Sequence, residues 1–203
     1  MKKVLSQDFY SRETTQVAID LLGKRLVRVL KSGKRVAGRI VEVEAYLGVE
    51  DPAAHTYGGR RTPRNESMYG EAGYSYVYFV YGMYHCLNVV TESTGTPAAV
   101  LLRGLEPMEG FSYLQKKSAS SDPHRWMNGP GKLCASLAIT REWNAKPLFD
   151  PSASLFIEDD NSVAAEDIAI GRRVGIDYAG DAIHWPLRFG VRGHSSLSPA
   201  KFD

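Results

Sequence analysis

The sequence predicts an α+β fold in a single mixed domain spanning residues 1–203, and three observations carry this reading. A chain of 203 residues is close to one large domain and buries a core without disulfide staples. A 43% hydrophobic and 24% charged composition is that of an ordinary globular protein, which excludes disordered and collagen-like classes. Short β-rich runs separated by turn signals outnumber a few helical segments, and no internal repeat occurs, so solenoids and propellers drop out.

Residues 12–22 read as an amphipathic helix, with Val17, Ala18, Leu21 and Leu22 on one face and Gly23 as its stop. Residues 25–30 and 35–46 form a hairpin across Ser32-Gly33, and strict alternation puts Val36, Gly38, Ile40, Glu42 and Glu44 on one face. Residues 47–73 carry Gly, Pro, Asn, Asp and Arg with little apolar periodicity. A connection that long is functional or holds short structure of its own. Residues 74–81 and 84–91 flank Gly82-Met83 as a second hairpin, and residues 98–106 read as a buried strand ended by Pro107. Helices are expected near 108–118 and 130–138, joined by a Ser/Asp/Pro linker, with late strands near 154–158, 169–176 and 185–191.

Charge is distributed unevenly. The formal net charge is only +2, yet residues 1–41 carry ten Lys or Arg against three acids, and the remainder is net acidic. Arg60, Arg61 and Arg64 form a second basic cluster, so the two regions suit a phosphate backbone, while a solvated charged face explains charge alone equally well. The N-terminus lacks the apolar run of a signal peptide. Cys86 and Cys134 have no CxxC partner, which points to a reducing, intracellular compartment. Twenty residues between Glu71 and Glu92 lack charge, but five tyrosines, Ser75, His85 and Asn88 argue for strands instead of a membrane span.

Those tyrosines, at 74, 76, 78, 81 and 84, suit a stacking platform with Tyr81 as a wedge at the hairpin tip; cross-strand packing is the plain alternative. Glu42 and Glu44 have the chemistry of a glycosidase carboxylate pair, although Glu at a strand end is usually inert. Arg103, alone in an apolar strand, needs a carboxylate, and either glutamate serves. Gly129-Pro-Gly-Lys132-Leu lacks the spacing of a phosphate-binding P-loop and reads as a helix start. The five histidines fit no zinc motif, so neither a metal nor a cofactor is expected.

Several stretches converge on one family: Arg39-Ile-Val-Glu-Val-Glu-Ala-Tyr-Leu-Gly48, Ala53-Ala-His55, Gly58-Gly-Arg, Thr62-Pro-Arg-Asn65, Val77-Tyr-Phe-Val-Tyr-Gly-Met-Tyr84, Val100-Leu-Leu-Arg-Gly-Leu-Glu-Pro107, Gly129-Pro-Gly-Lys-Leu-Cys134 and Pro186-Leu-Arg-Phe189. From about residue 4 to 192 the chain closely resembles the alkyladenine (methylpurine or 3-methyladenine) DNA glycosylases. The resemblance implies a curved antiparallel β-sheet with surrounding helices and a protruding hairpin that intercalates into the DNA minor groove. It implies that Glu44 activates a water against C1′ of a flipped nucleotide, with Arg103 and the backbone carbonyl of Val174 helping to hold that water. Tyr46, Ala53, His55 and Tyr78 would form the base pocket, and Asn88 would refuse the 2-amino group of guanine. Tyr81 and Met83 would enter the stack, with Arg60, Arg61, Arg64 and Lys132 on the DNA backbone.

Cationic 3-methyladenine and 7-methylguanine leave readily once water is positioned, whereas neutral hypoxanthine and ethenoadenine need a proton for which no acid is evident. No Lys or N-terminal amine lies among the matched pocket residues, so the expected chemistry is monofunctional hydrolysis that leaves an abasic site. The expected partner is double-stranded DNA with damaged purines, met by a monomer in a prokaryotic cytoplasm or nucleoid, without a membrane. A nucleoside glycosidase or a non-catalytic damaged-DNA binder are the rival readings.

Overall fold

The computed structural model describes residues 2–202. Among them, eight strands form one antiparallel sheet: β1 (Arg25–Val29), β2 (Arg35–Tyr46), β3 (Ser75–Val80), β4 (Tyr84–Thr91), β5 (Ala98–Glu109), β6 (Leu155–Glu158), β7 (Ile168–Gly171) and β8 (Arg188–Val191). The main path runs β3-β4-β5-β2-β1-β6. The long β2 shares one edge between β1, at residues 35–39, and β8, at residues 42–44, with β7 outside β8. Its other edge pairs with β5 through three register shifts, which bend and curl the sheet.

Four short helices accompany the sheet: α1 (Gln7–Tyr10), α2 (Thr14–Leu21), α3 (Phe111–Lys117) and α4 (Pro130–Ser136). The predicted helix at 12–22 is α2. The Glu13 carboxylate accepts from the Thr15 and Gln16 amides, and Val17, Ala18 and Leu21 are buried. The main core joins that face to Leu87, Val89, Val100, Leu102 and Leu105 of the sheet and to Leu133 and Leu137 beside α4. The uncharged stretch 72–91 is the β3–β4 hairpin, and no helix among the described residues is long and apolar enough to cross a membrane. Cys86 and Cys134 are buried free thiols.

Two expectations are corrected. Strict alternation along β2 fails. Val36, Ile40, Val43 and Ala45 all join the main core, whereas Glu42 and Glu44 point to the other side and meet Arg103. The cause is a pair of bulges: Ile40 opposes Leu105, Glu42 opposes Gly104 and Val43 opposes Leu102, so Val41 and then Arg103 are extra residues. Glycine at 104 suits the close approach here, because a Cβ would lie 3.0 Å from the Ser196 carbonyl oxygen and 3.2 Å from Glu42 Cβ, tighter than most such contacts. The second correction is Pro107, which does not end β5. The strand runs to Glu109, and Pro107 lies opposite Gly38 at another register shift, an irregular position where a missing N–H is tolerated. The late strands are also shorter than expected, since residues 172–187 leave the sheet and cross the site as irregular chain with one short 3-10 turn.

Candidate active site

The bulges deliver two carboxylates and one guanidinium to the concave end of β2 and β5, and the two carboxylates are treated differently. Glu42 accepts four hydrogen bonds: Arg103 Nε at 2.9 Å, Arg188 Nε at 2.8 Å, the Ser198 hydroxyl at 2.7 Å and the Ser198 amide at 2.5 Å. Burial alone would raise its pKa, but Arg103, Arg188 and Ser198 together bring it below the usual carboxylate value. Glu44 accepts only two, from the Val174 amide at 2.7 Å on Oε1 and from the Tyr46 hydroxyl at 2.9 Å on Oε2, and its Oε1 is ion-paired with Arg103 Nη1 at 3.3 Å. A carboxylate offers roughly four acceptor positions; Glu42 holds four donors, three on Oε1 and one on Oε2, whereas Glu44 holds two donors and an ion pair, so Glu44 is the less engaged of the two. Val174 meets Glu44 through its N–H, a contact separate from the carbonyl that the resemblance assigns to the water.

Above Glu44 lies a cavity of about 320 Å³. Its wall includes Tyr46, Ala53, His55, Tyr78 and Asn88, all named from sequence, together with Tyr81, Arg64, Arg103 and Val174. Glu44 itself is wholly buried and sits behind Tyr46, Arg103 and Val174. His55 Nδ1 lies 2.7 Å from the Tyr76 hydroxyl, and its ring meets Tyr78 edge-on at 4.7 Å. Burial, with Arg64 and Arg60 nearby, pushes the His55 pKa down to about 4, so the imidazole is neutral at pH 7. Tyr46 is pushed up by burial and by Glu44, and Tyr78 by burial and Cys86, so both remain neutral phenols. Asn88 Nδ2 donates to the Tyr76 carbonyl at 3.0 Å, which fixes the amide plane at the cavity wall.

The β3–β4 turn carries exposed apolar and aromatic side chains. Tyr81 is 79% exposed and Met83 65%, with Phe79 and Tyr84 partly exposed beside them. Tyr81 has φ 53° and Gly82 φ 68°. Glycine adopts that region freely, but tyrosine there is strained, and such strain clusters at functional sites. Of the basic candidates, Arg64 lines the cavity and donates to the Phe79 carbonyl at 3.3 Å, whereas Arg61 is ion-paired with Glu66. Arg60 is exposed outside the cavity. Exposed Lys132 sits on α4 and donates to Asn128 Oδ1 at 2.8 Å.

Sequence reasoning missed several contributors. The buried pair Arg173–Asp51 ties the segment carrying Val174 to the loop carrying Ala53: Arg173 also donates to the Ala45 carbonyl and lies over the Tyr46 ring at 4.7 Å, and Asp51 accepts from the Ala53 amide. Asp51 lay within the long suspect loop. Arg173 was hidden in a stretch read as strand. Tyr178, whose hydroxyl donates to the Ala53 carbonyl at 3.0 Å, closes the same side of the cavity. Met68, Cys86, Leu101 and Ile176 complete the apolar lining, and buried apolar residues carry no chemical signature in a sequence.

An aromatic-lined cavity, a buried carboxylate behind its wall and an exposed aromatic turn lie at one end of the sheet. The family model for methylpurine-DNA glycosylase matches residues 8–195 of the chain. The chain belongs to the methylpurine-DNA glycosylase family. Among similar proteins, one from Bdellovibrio bacteriovorus is 47% identical over 96% of this chain and 98% of its own length. One from Clostridium acetobutylicum is 45% identical over 98% and 99%, and one from Bacillus cereus 44% identical over 94% and 96%. Each of the three bears the name "Putative 3-methyladenine DNA glycosylase". Family membership makes this chain a DNA glycosylase, an N-glycosyl hydrolase of DNA repair.

Proposed function

We propose that this glycosylase removes alkylated and deaminated purines, 3-methyladenine, 7-methylguanine, hypoxanthine and ethenoadenine, from double-stranded DNA by water attack activated by Glu44. The observation that carries the assignment is the unequal engagement of the two carboxylates: Glu42 accepts four hydrogen bonds, whereas Glu44 accepts two and sits behind Tyr46, Arg103 and Val174, which line the cavity. A water donating to Glu44 gives up its proton as its oxygen bonds C1′, and the electron pair of the broken N-glycosidic bond leaves with the base. An abasic site remains. The ionised carboxylate also offsets the positive charge that develops on the sugar.

Neutral His55 and the Tyr46 and Tyr78 phenols suit a flat base, and a cationic alkylpurine gains from their π faces without meeting a charged imidazole. Tyr81 and Met83 would occupy the gap left by the flipped nucleotide, and Asn88, held by the Tyr76 carbonyl, would crowd the 2-amino group of guanine. An exposed aromatic turn favours a duplex over a free nucleoside, which would gain nothing from it. Binding as a monomer without a cofactor belongs to the same reading.

Single-turnover release of free base from duplexes carrying each lesion tests it, with Glu44→Gln alongside the wild type. Glu44→Gln is expected to cost about 10²- to 10⁴-fold in rate while damaged-DNA affinity changes by less than about tenfold. More than a tenth of the wild-type rate in that variant would move the base elsewhere.

A further inference from the structure

Glu42 is held by donors from three separate parts of the chain, and the arrangement bears directly on Arg103. Ser198 donates its hydroxyl and its amide to Glu42, and its oxygen accepts from Arg103 Nη2 at 3.3 Å and Arg188 Nη2 at 3.4 Å. Arg188 is held in turn by the Ala200 and Lys201 carbonyls at 2.8 and 3.0 Å and lies over the Phe202 ring at 3.9 Å. Residues 196–202 thus strap Arg188 and Glu42 from outside the sheet. On Arg103, Nε is taken by Glu42 and Nη2 by Ser198, so Nη1 is the group presented to Glu44, at 3.3 Å. An arginine side chain carries about 2 kcal/mol of rotamer entropy, and two fixed partners on one edge remove most of that freedom.

We propose that Glu42, clamped by Arg188 and Ser198, is a positioning residue that aims Arg103 at Glu44, and that the 196–202 strap is therefore part of the excision machinery. This rests on Glu44 being the base. Two effects follow. Geometrically, the clamp keeps Arg103 Nη1 on Oε1, beside the Val174 amide, and leaves Oε2 with the Tyr46 hydroxyl alone. Electrostatically, the Glu42 charge offsets Arg103 and Arg188, and Glu44 does not face two uncompensated guanidinium groups. The other groups around Glu44 are Tyr46 on its own strand, Tyr78 and Cys86 on the β3–β4 hairpin, and Tyr178 and Arg173 on the segment after β7. The other carboxylate nearby, Asp51, is paired with Arg173 and so compensates that guanidinium instead of Arg103 or Arg188.

The test measures single-turnover excision on saturating damaged duplex across pH for the full chain, with melting temperature and DNA affinity determined on each preparation. Glu42→Gln is expected to slow excision at least tenfold at unchanged affinity and to move the acid limb of the rate profile to lower pH by about one unit. Removing a neighbouring negative charge makes an ionised base easier to form, a shift that loss of packing would not produce. Ser198→Ala keeps every charge and the backbone amide. It is expected to slow excision about three- to tenfold without moving the acid limb. An unmoved acid limb in Glu42→Gln overturns the proposal; if that variant does not fold, a Ser198→Ala rate equal to wild type overturns it. Glu44→Gln separates the two readings: if it stays active the base assignment fails, and if it is inactive while the other variants match wild type only the positioning role fails.

Discussion

His55 shows how a single side chain links the site to stability. Its pKa is lowered to about 4, first by burial and then by Arg64 and Arg60, against an ordinary value of 6.5. The unfolded chain therefore binds a proton that the folded chain refuses between pH 6.5 and 4. The contribution is fully present above pH 6.5 and lost as pH falls toward 4, on the order of 3 kcal/mol at full extent. Urea unfolding at pH 7.5 and pH 5 is expected to show this loss in the wild type and a flatter dependence in His55→Asn. Equal pH slopes in both would mean that the imidazole stays solvated. The Glu44→Gln substitution is mild in structure by comparison, because its amide group can donate to the Tyr46 oxygen while its carbonyl keeps the Val174 amide and Arg103.

At the scale of elements, the β3–β4 hairpin trades stability for reach. Tyr81 in the left-handed region costs on the order of 1 kcal/mol, and nothing in its exposed packing returns that energy in the free protein. Tyr81→Gly is accordingly expected to leave stability unchanged or raise it by up to about 1 kcal/mol, while excision slows, and slows less for a mispaired lesion than for a well-paired one. A matching loss on both lesions, or a lowered melting temperature, would assign Tyr81 to the fold. This hairpin was legible because alternation and Gly82 are local signals. The β2–β5 pair was legible only in outline: the extra residues Val41 and Arg103 depend on partners some sixty positions away, so period-two counting put Ile40 with Glu42 although the bulge separates them. The roles of Arg188, which lies in the matched stretch 186–189, and of Ser198 were hidden for the same reason, since they converge on Glu42 from positions distant in sequence.

For the whole molecule, the +2 formal charge says little about DNA, and the distribution says more. The basic excess of residues 1–41 pointed to a phosphate backbone, but much of it is spent internally. Arg12 pairs with Asp20, Lys24 with Asp159, Arg25 with Glu109 and Asp160, Arg35 with Glu109 and Glu158, and Arg39 with Glu106. Composition cannot distinguish a charge held by a partner from one offered to solvent. The cluster at the cavity mouth makes the same distinction over four residues: Arg61 is engaged by the Glu66 carboxylate, whereas Arg64 lines the cavity and donates to a neutral carbonyl. A phosphate meeting Arg64 displaces a mobile anion, while one meeting Arg61 must compete with Glu66. Arg64→Ala is therefore expected to reduce the slope of log affinity against log salt by about 0.9, the value for one released counterion on duplex DNA, and Arg61→Ala by distinctly less. Binding titrations on an undamaged duplex between about 50 and 200 mM salt isolate this contribution, since no base need enter the cavity. Equal slope changes for the two variants would show that Glu66 yields to DNA, and an unchanged slope for Arg64→Ala would take the backbone contact away from the cavity mouth.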